Sequence, residues 1–188
     1  MVASEDTLEE VFTSLADATA GRTPFTLGFL GSLGLDGGPR IRAVILRAFD
    51  RATGQIMVAT NAFSEKVAEI ERVPSVALTM YDDNRGVQLR IRGTASFIDD
   101  ADERSLAWDR VSPGGRHLYA SGRVPGTPLP GSPDSDGEPV VGEKAFDRFA
   151  WMAIEMADVD WLDLSGTTHR RWKFTPKAGV WSGQEIVP

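Results

Sequence analysis

Apolar residues recur at helical spacing near the start of the chain, where Leu8, Val11, Phe12 and Leu15 follow Ser4, Glu5 and Asp6. A serine cap, an acidic first turn and a 3.6-residue apolar period predict an amphipathic helix to about Ala18. The period then shortens. Phe25 to Leu33 and Arg40 to Phe49 read as strands joined by the turn Leu35-Asp36-Gly37-Gly38, and Gln55 to Thr60 as a third strand. Asn61 or Ser64 caps a short helix that must stop near Val73, because Pro74 disfavours helical geometry in the residue before it. Ser75 to Tyr81 and Val87 to Ile98 form two more strands around the polar turn 82–86, and Asp99 to Val111 a second sizeable helix. Gly, Pro, Ser and Asp dominate residues 121–142, which predicts a long, mobile loop. Short strands at Phe149 to Met156, Trp161 to Leu164, His169 to Thr175 and Gly179 to Trp181 complete the chain. Many short strands, hairpin turns and few helices predict a mainly β fold, an antiparallel barrel with peripheral helices, in one domain spanning residues 1–188.

Composition narrows the function. With 188 residues, 41% of them hydrophobic and 25% charged, the chain has ordinary globular proportions. It carries no cysteine, which excludes disulfides and thiolate chemistry, and only two histidines, His117 and His169, so no metal site is expected. No apolar run is long enough to span a bilayer, and the acidic N-terminus is unlike a secretory signal, so a cytoplasmic protein is expected. A net charge of −7 repels nucleic acid on average. Small anions remain acceptable wherever cations are gathered locally, which makes the placement of the arginines informative.

Three segments carry candidate chemistry. In Arg40-Ile-Arg-Ala-Val-Ile-Leu-Arg47, Ile41, Ala43 and Ile45 share one face while Arg42, Val44 and Leu46 share the other. Both faces are largely apolar, as in a strand covered on both sides, and an arginine there needs an anion. Arg42 and Arg47 could equally reach solvent or an aspartate from the strand ends. Next, Ala59-Thr60 ends a strand and Ser64-Glu65-Lys66 opens a helix, combining free N–H groups, two hydroxyls and an ammonium. That combination suits a phosphate, although ordinary capped helices begin the same way. Third, Gln88, Arg90 and Arg92 share one strand face. A polar outer face explains the arginines, while the Gln88 amide can donate and accept along a flavin ring edge. The five tryptophans are better suited to core or interface than to flavin stacking.

Together these segments resemble the pyridoxamine 5'-phosphate oxidase family of FMN-binding split barrels, over nearly all of the chain from Phe25 onward. Arg42-Ala-Val-Ile-Leu-Arg47 is similar to the family's Arg-x-Val-Leu-Leu-Lys strand. Thr60, Ser64 and Lys66 are similar to its phosphate segment, Gln88-Leu-Arg-Ile to its flavin-contacting Gln-Val-Arg-Val, and Trp161-Leu-Asp-Leu with His169-Arg-Arg171 to its Phe-Trp and Arg-x-His-x-Arg region. The resemblance implies a six-stranded antiparallel split β-barrel binding FMN between the subunits of a homodimer. It places Arg42, Ala43, Val44, Ile45, Arg47, Ala59, Thr60, Ser64, Lys66, Gln88 and Arg171 at the cofactor, and His169 and Arg171 on its open, catalytic face toward a small-molecule substrate.

The departures concern that substrate. Glu65 stands where the family has an arginine beside the phosphate, and Arg47 replaces a lysine. If Arg110 takes the place of the substrate-phosphate arginine, Leu106 and Gly114 fall where its tyrosine and serine partners belong, and Thr167 replaces the first arginine of Arg-x-His. The implied activity is an FMN-dependent oxidoreductase on an unidentified small substrate. The alternatives are a non-catalytic flavin-binding or sensing protein and a deazaflavin-dependent reductase.

Overall fold

A computed structural model of the chain describes residues 2–128 and 143–188. The element order is α1 (Val2–Ala20), β1 (Leu27–Leu33), β2 (Pro39–Asp50), β3 (Gln55–Asn61), α2 (Glu65–Arg72), β4 (Ser75–Asp82), β5 (Val87–Phe97), α3 (Ala101–Asp109), α4 (Pro113–Arg116), α5 (Glu143–Phe146), β6 (Phe149–Asp163), β7 (Arg170–Lys177) and β8 (Val180–Ile186). The strands pair in the order β3-β2-β1-β4-β5-β6-β7-β8, and β3 also pairs with β6. That last pairing closes six strands, all antiparallel, into a barrel, and β7 and β8 extend the sheet from one side.

β6 makes this possible by serving three neighbours. Its first half pairs with β3 from Phe149 to Glu155, and its last residues pair with β7 from Val159 to Asp163. Phe149 to Met156 and Trp161 to Leu164, expected as two strands, are therefore one. The register slips opposite Arg92 and Gly93, leaving Ala157 as an extra residue, and such a bulge bends a long strand. Gly93 is required there, because a Cβ would lie 2.3 Å from the Glu155 carbonyl oxygen.

Alternation along the strands sends Leu30, Val44, Leu46, Val58, Leu78, Leu89, Ile91 and Ile154 into the barrel interior, all buried. Val11, Phe12, Leu15 and Ala18 of α1 are buried against the barrel at the expected spacing. Each large apolar side chain so placed contributes about 1.5–3 kcal/mol. A second cluster, including Met57, Tyr119, Phe149 and Trp151, lies outside the barrel wall beneath α3. Trp151, Trp161 and Trp172 are buried, as their reading as core residues requires.

Other boundaries moved for local reasons. Phe25 sits in a 3₁₀ turn, Pro24–Thr26, closed by a capping box between Thr23 and Thr26 rather than in β1. The expected helix from Asp99 to Val111 opens on Asp100, whose side chain accepts from the Glu103 N–H, and stops at Asp109 before α4 begins. His169 precedes β7 instead of opening it. Of the expected loop, residues 121–128 form no helix or strand, and residues 129–142 lie outside those described.

Candidate functional site

Arg42 projects to the inner face of β2 near one end of the barrel, and α2 closes that end. The guanidinium donates to Ser32 Oγ and, at 2.6 Å, to Glu69 Oε2 on α2. Glu69 is only 1% exposed and also accepts from Ser32 Oγ at 2.6 Å. The anion that a strand-borne arginine needs is thus supplied first by the chain itself. Lys66 Nζ lies near enough to feel both charges and donates to Thr60 Oγ1 at 2.8 Å and Ser64 Oγ at 3.0 Å. Burial and the neighbouring Arg42 charge push the Lys66 pKa down, against a smaller opposing pull from Glu69.

Ser64 is the N-cap of α2, but its hydroxyl donates to the Asn61 carbonyl and caps no helical N–H. Among the described residues nothing accepts from the Glu65 and Lys66 N–H groups. The barrel mouth therefore gathers two cations, two buried hydroxyls and free helix donors, which is the donor set of a phosphate monoester. Arg42, Thr60, Ser64 and Lys66 are brought together as the sequence suggested. Glu69 and Ser32, which complete the network, were not foreseen; the i+3 spacing of Glu69 from Lys66 was the available signal.

Around the outside of β2 lies a cleft of about 1150 Å³, lined by the end of α1, the 3₁₀ turn and α3. Ile45, Arg47, Ala59 and its cross-strand partner Trp151 form part of its wall, and Arg22, Arg110 and Val111 also line it. The β2–β3 register skips Arg47, between Leu46 and Ala48. Arg47 follows Ile41, Ala43 and Ile45 on the outward face, and the bulge leaves it outside the β2–β3 ladder. Most arginines of this protein are held by carboxylates or carbonyls. Arg22, Arg47 and Arg110 have no such partner among the described residues, and no carboxylate lines the cleft. Arg22 was not anticipated.

The outer face of β2 is not covered as its apolar sequence predicted. Val44 is buried inside the barrel, but Ala43 is exposed and Ile41 is 75% exposed. Register places Phe29 beside Ala43 and Leu27 beside Ile45, and both β1 side chains are exposed too. With Tyr81 on β4 they make an apolar patch on one barrel wall.

Beyond that patch, Gln88 is half-buried on the outer face of β5, level with Leu162 of β6 and Arg171 of β7. Arg171 holds Asp160 through both carboxylate oxygens, at 3.0 and 2.8 Å, and Arg90 donates to the same group at 2.7 Å. Burial alone raises the Asp160 pKa, but the bonds and charges of Arg171 and Arg90 outweigh it and hold the carboxyl below its usual range. Arg92 pairs likewise with Asp158, so the polar outer face expected for both arginines is present. His169 is exposed beside Arg171, Gln184 and Glu185. β1 and β4 separate β2 from β5, three strand spacings or about 14 Å along the sheet. Within one chain, then, Gln88, His169 and Arg171 form one group, Arg47 lies apart in the cleft, and Arg42, Thr60, Ser64 and Lys66 meet at the barrel mouth. No group of three or more potential metal ligands occurs among the described residues, and no described helix is long and apolar enough to cross a membrane.

Comparison with known proteins agrees with this architecture. The family model described as pyridoxamine 5'-phosphate oxidase matches residues 18–126. Pyridoxine/pyridoxamine 5'-phosphate oxidase 2 of Arabidopsis thaliana is 25% identical, with 85% of each chain covered. A pyridoxamine 5'-phosphate oxidase-related, FMN binding protein from Nostoc punctiforme superposes with a TM-score of 0.77 at 23% identity, covering 95% of this chain and 96% of that one. PhzG from Burkholderia lata, solved with tetrahydrophenazine-1-carboxylic acid, gives 0.69 at 18% identity over 98% and 93% of the two chains.

Proposed function

The chain belongs to the pyridoxamine 5'-phosphate oxidase family, and from that membership and its site we propose that it is an FMN-binding oxidoreductase acting on a small anionic substrate. The observation that carries the reading is the barrel mouth, where Arg42, Thr60, Ser64 and Lys66 converge beside unused helix donors. A phosphate there would offset both the burial and the neighbouring Arg42 charge that lower the Lys66 pKa. Ala43, Val44, Ile45 and Ala59 continue from the mouth along β2 and β3 toward the cleft. When bound, FMN supplies two-electron redox chemistry.

The residues divide the remaining work. Arg47 offers a planar cation in the cleft, and Arg22 and Arg110 add two more to a lining that includes apolar Trp151 and Val111. Such a lining suits a flat, apolar molecule carrying carboxylate or phosphate, and excludes cationic ones. Gln88, His169 and Arg171 lie across the barrel from Arg47 of the same chain, because β2 and β5 are three strands apart in either direction around it. A homodimer packed through the apolar wall of Leu27, Phe29, Ile41 and Tyr81 would bring them to the flavin from the second subunit. Arg171, steadied by Asp160, then places positive charge near the ring, and His169 faces the substrate side.

Purified protein tests this directly. The expected result is a yellow dimer with one FMN per subunit, bleached anaerobically by an anionic reductant such as pyridoxamine phosphate or a reduced nicotinamide. Colourless protein that gains no flavin on incubation would overturn the cofactor assignment. A yellow protein that no reductant bleaches would be a flavin-binding protein without the proposed activity.

A further inference from the structure

We propose that Glu69 sets the phosphate affinity of the barrel mouth, acting as a built-in anion that weakens the binding of a phosphate monoester. The proposal rests on the assignment of the barrel mouth to the phosphate of FMN. Glu69 lies almost wholly out of solvent, and the same oxygen, Oε2, accepts from both Arg42 and Ser32. Arg42 therefore already has a carboxylate where a ligand's oxyanion would otherwise be its partner.

The charges around the mouth come from several elements. β2 supplies Arg42, while α2 supplies Lys66, Glu65 and Glu69. Arg40 is turned to Asp36, and Arg72 is spent on the Gly34 and Leu35 carbonyls. With Arg40 and its partner Asp36 included, as many carboxylates as cations surround the mouth, and a phosphate dianion would enter a site with no formal surplus of positive charge. Of these carboxylates, Glu65 is exposed and screened by water, whereas Glu69 is buried and acts at close to full strength. Glu69 and Arg42 spare each other an unpaired charge in a largely buried site, so Glu69 serves the cofactor-free protein at the expense of affinity.

This reverses the sign expected of a structural residue. Glu69→Gln should lower the melting temperature of the cofactor-free protein yet bind FMN about tenfold more tightly. Riboflavin, which lacks the phosphate, should bind with unchanged affinity. A folded Glu69→Gln protein whose FMN affinity is unchanged or weaker, or whose gain is equal for riboflavin, would overturn the proposal.

Should Glu69→Gln not fold, Arg42→Met and Arg42→Met/Glu69→Leu give the same decision, since an apolar pair can replace a buried ion pair. The double variant is expected to bind FMN at least tenfold more tightly than Arg42→Met alone, and equal or weaker binding would overturn it. Failure of the wild-type protein to take up FMN would sink the cofactor assignment instead. Titration with inorganic phosphate would then still decide the role of Glu69, tighter binding by Glu69→Gln supporting it and unchanged binding refuting it.

Discussion

The barrel mouth and the cleft are both built around arginine, and they differ in what the arginines touch. At the mouth, Arg42 is held by Glu69 and Ser32, and Lys66 by Thr60 and Ser64, before any ligand arrives. In the cleft, Arg22, Arg47 and Arg110 line an open space without a carboxylate. The first arrangement is preorganised, because its cations are fixed by bonds within the chain. The second keeps its hydrogen-bonding capacity free and its side chains hydrated. A permanent cofactor suits the former, whereas a substrate that must come and go suits the latter.

Substitution of one arginine in each region should separate them most sharply. Arg42→Ala leaves Glu69 buried without its cation, so stability should fall by about 3–5 kcal/mol, and FMN binding should weaken by about 1.5–3 kcal/mol. Arg47→Ala should change stability by no more than about 0.5 kcal/mol. Chemical denaturation and flavin titration of the two variants make the comparison, and equal stability losses would erase the distinction.

Lys66 offers a pH test of the mouth. Its pKa in the folded chain is below the ordinary 10.5, so between the lowered value and 10.5 the unfolded chain binds a proton that the folded one does not. Stability of the cofactor-free protein should therefore rise with pH across that window. FMN affinity should move the other way, falling as Lys66 loses its charge. Lys66→Met should flatten both profiles, and a pH dependence of FMN binding that survives this change would assign the titration to another group.

The smallest effects belong to the cleft. Arg22→Ala and Arg110→Ala should each weaken an anionic substrate or inhibitor by roughly tenfold, about 1.4 kcal/mol. FMN affinity and stability should stay near wild type. An uncharged analogue of the same ligand should show no difference, and if it weakened equally, the arginines would be shaping the cleft rather than reading charge.

How much of this was legible in the sequence depended on how local the cause was. The alternation of Arg42, Val44 and Leu46 against Ile41, Ala43 and Ile45 gave β2 its two faces, and Pro74 ended α2 where expected. Thr60, Ser64 and Lys66 stand within seven residues of one another, so their meeting is a matter of local geometry. The joining of two expected strands into β6 was not legible, because it depends on which strands lie on either side. Nor was the exposure of Ile41 and Ala43, since an apolar outer face reads the same whether its cover comes from this chain or another.

By itself, then, the sequence determined the succession of strands as far as β5, the two faces of β2 and β5 and the hydroxyls and ammonium that open α2, all consequences of spacing along a few residues. Only the tertiary structure decided what each charge faces. Glu69 meets Arg42 across 27 positions, and Asp160 meets Arg90 across 70. Arg22 enters the cleft from the turn after α1, and Arg47 from the outer face of β2. Electrostatic pairing depends on distance in space, and closing the barrel brings residues far apart in the chain within hydrogen-bonding reach.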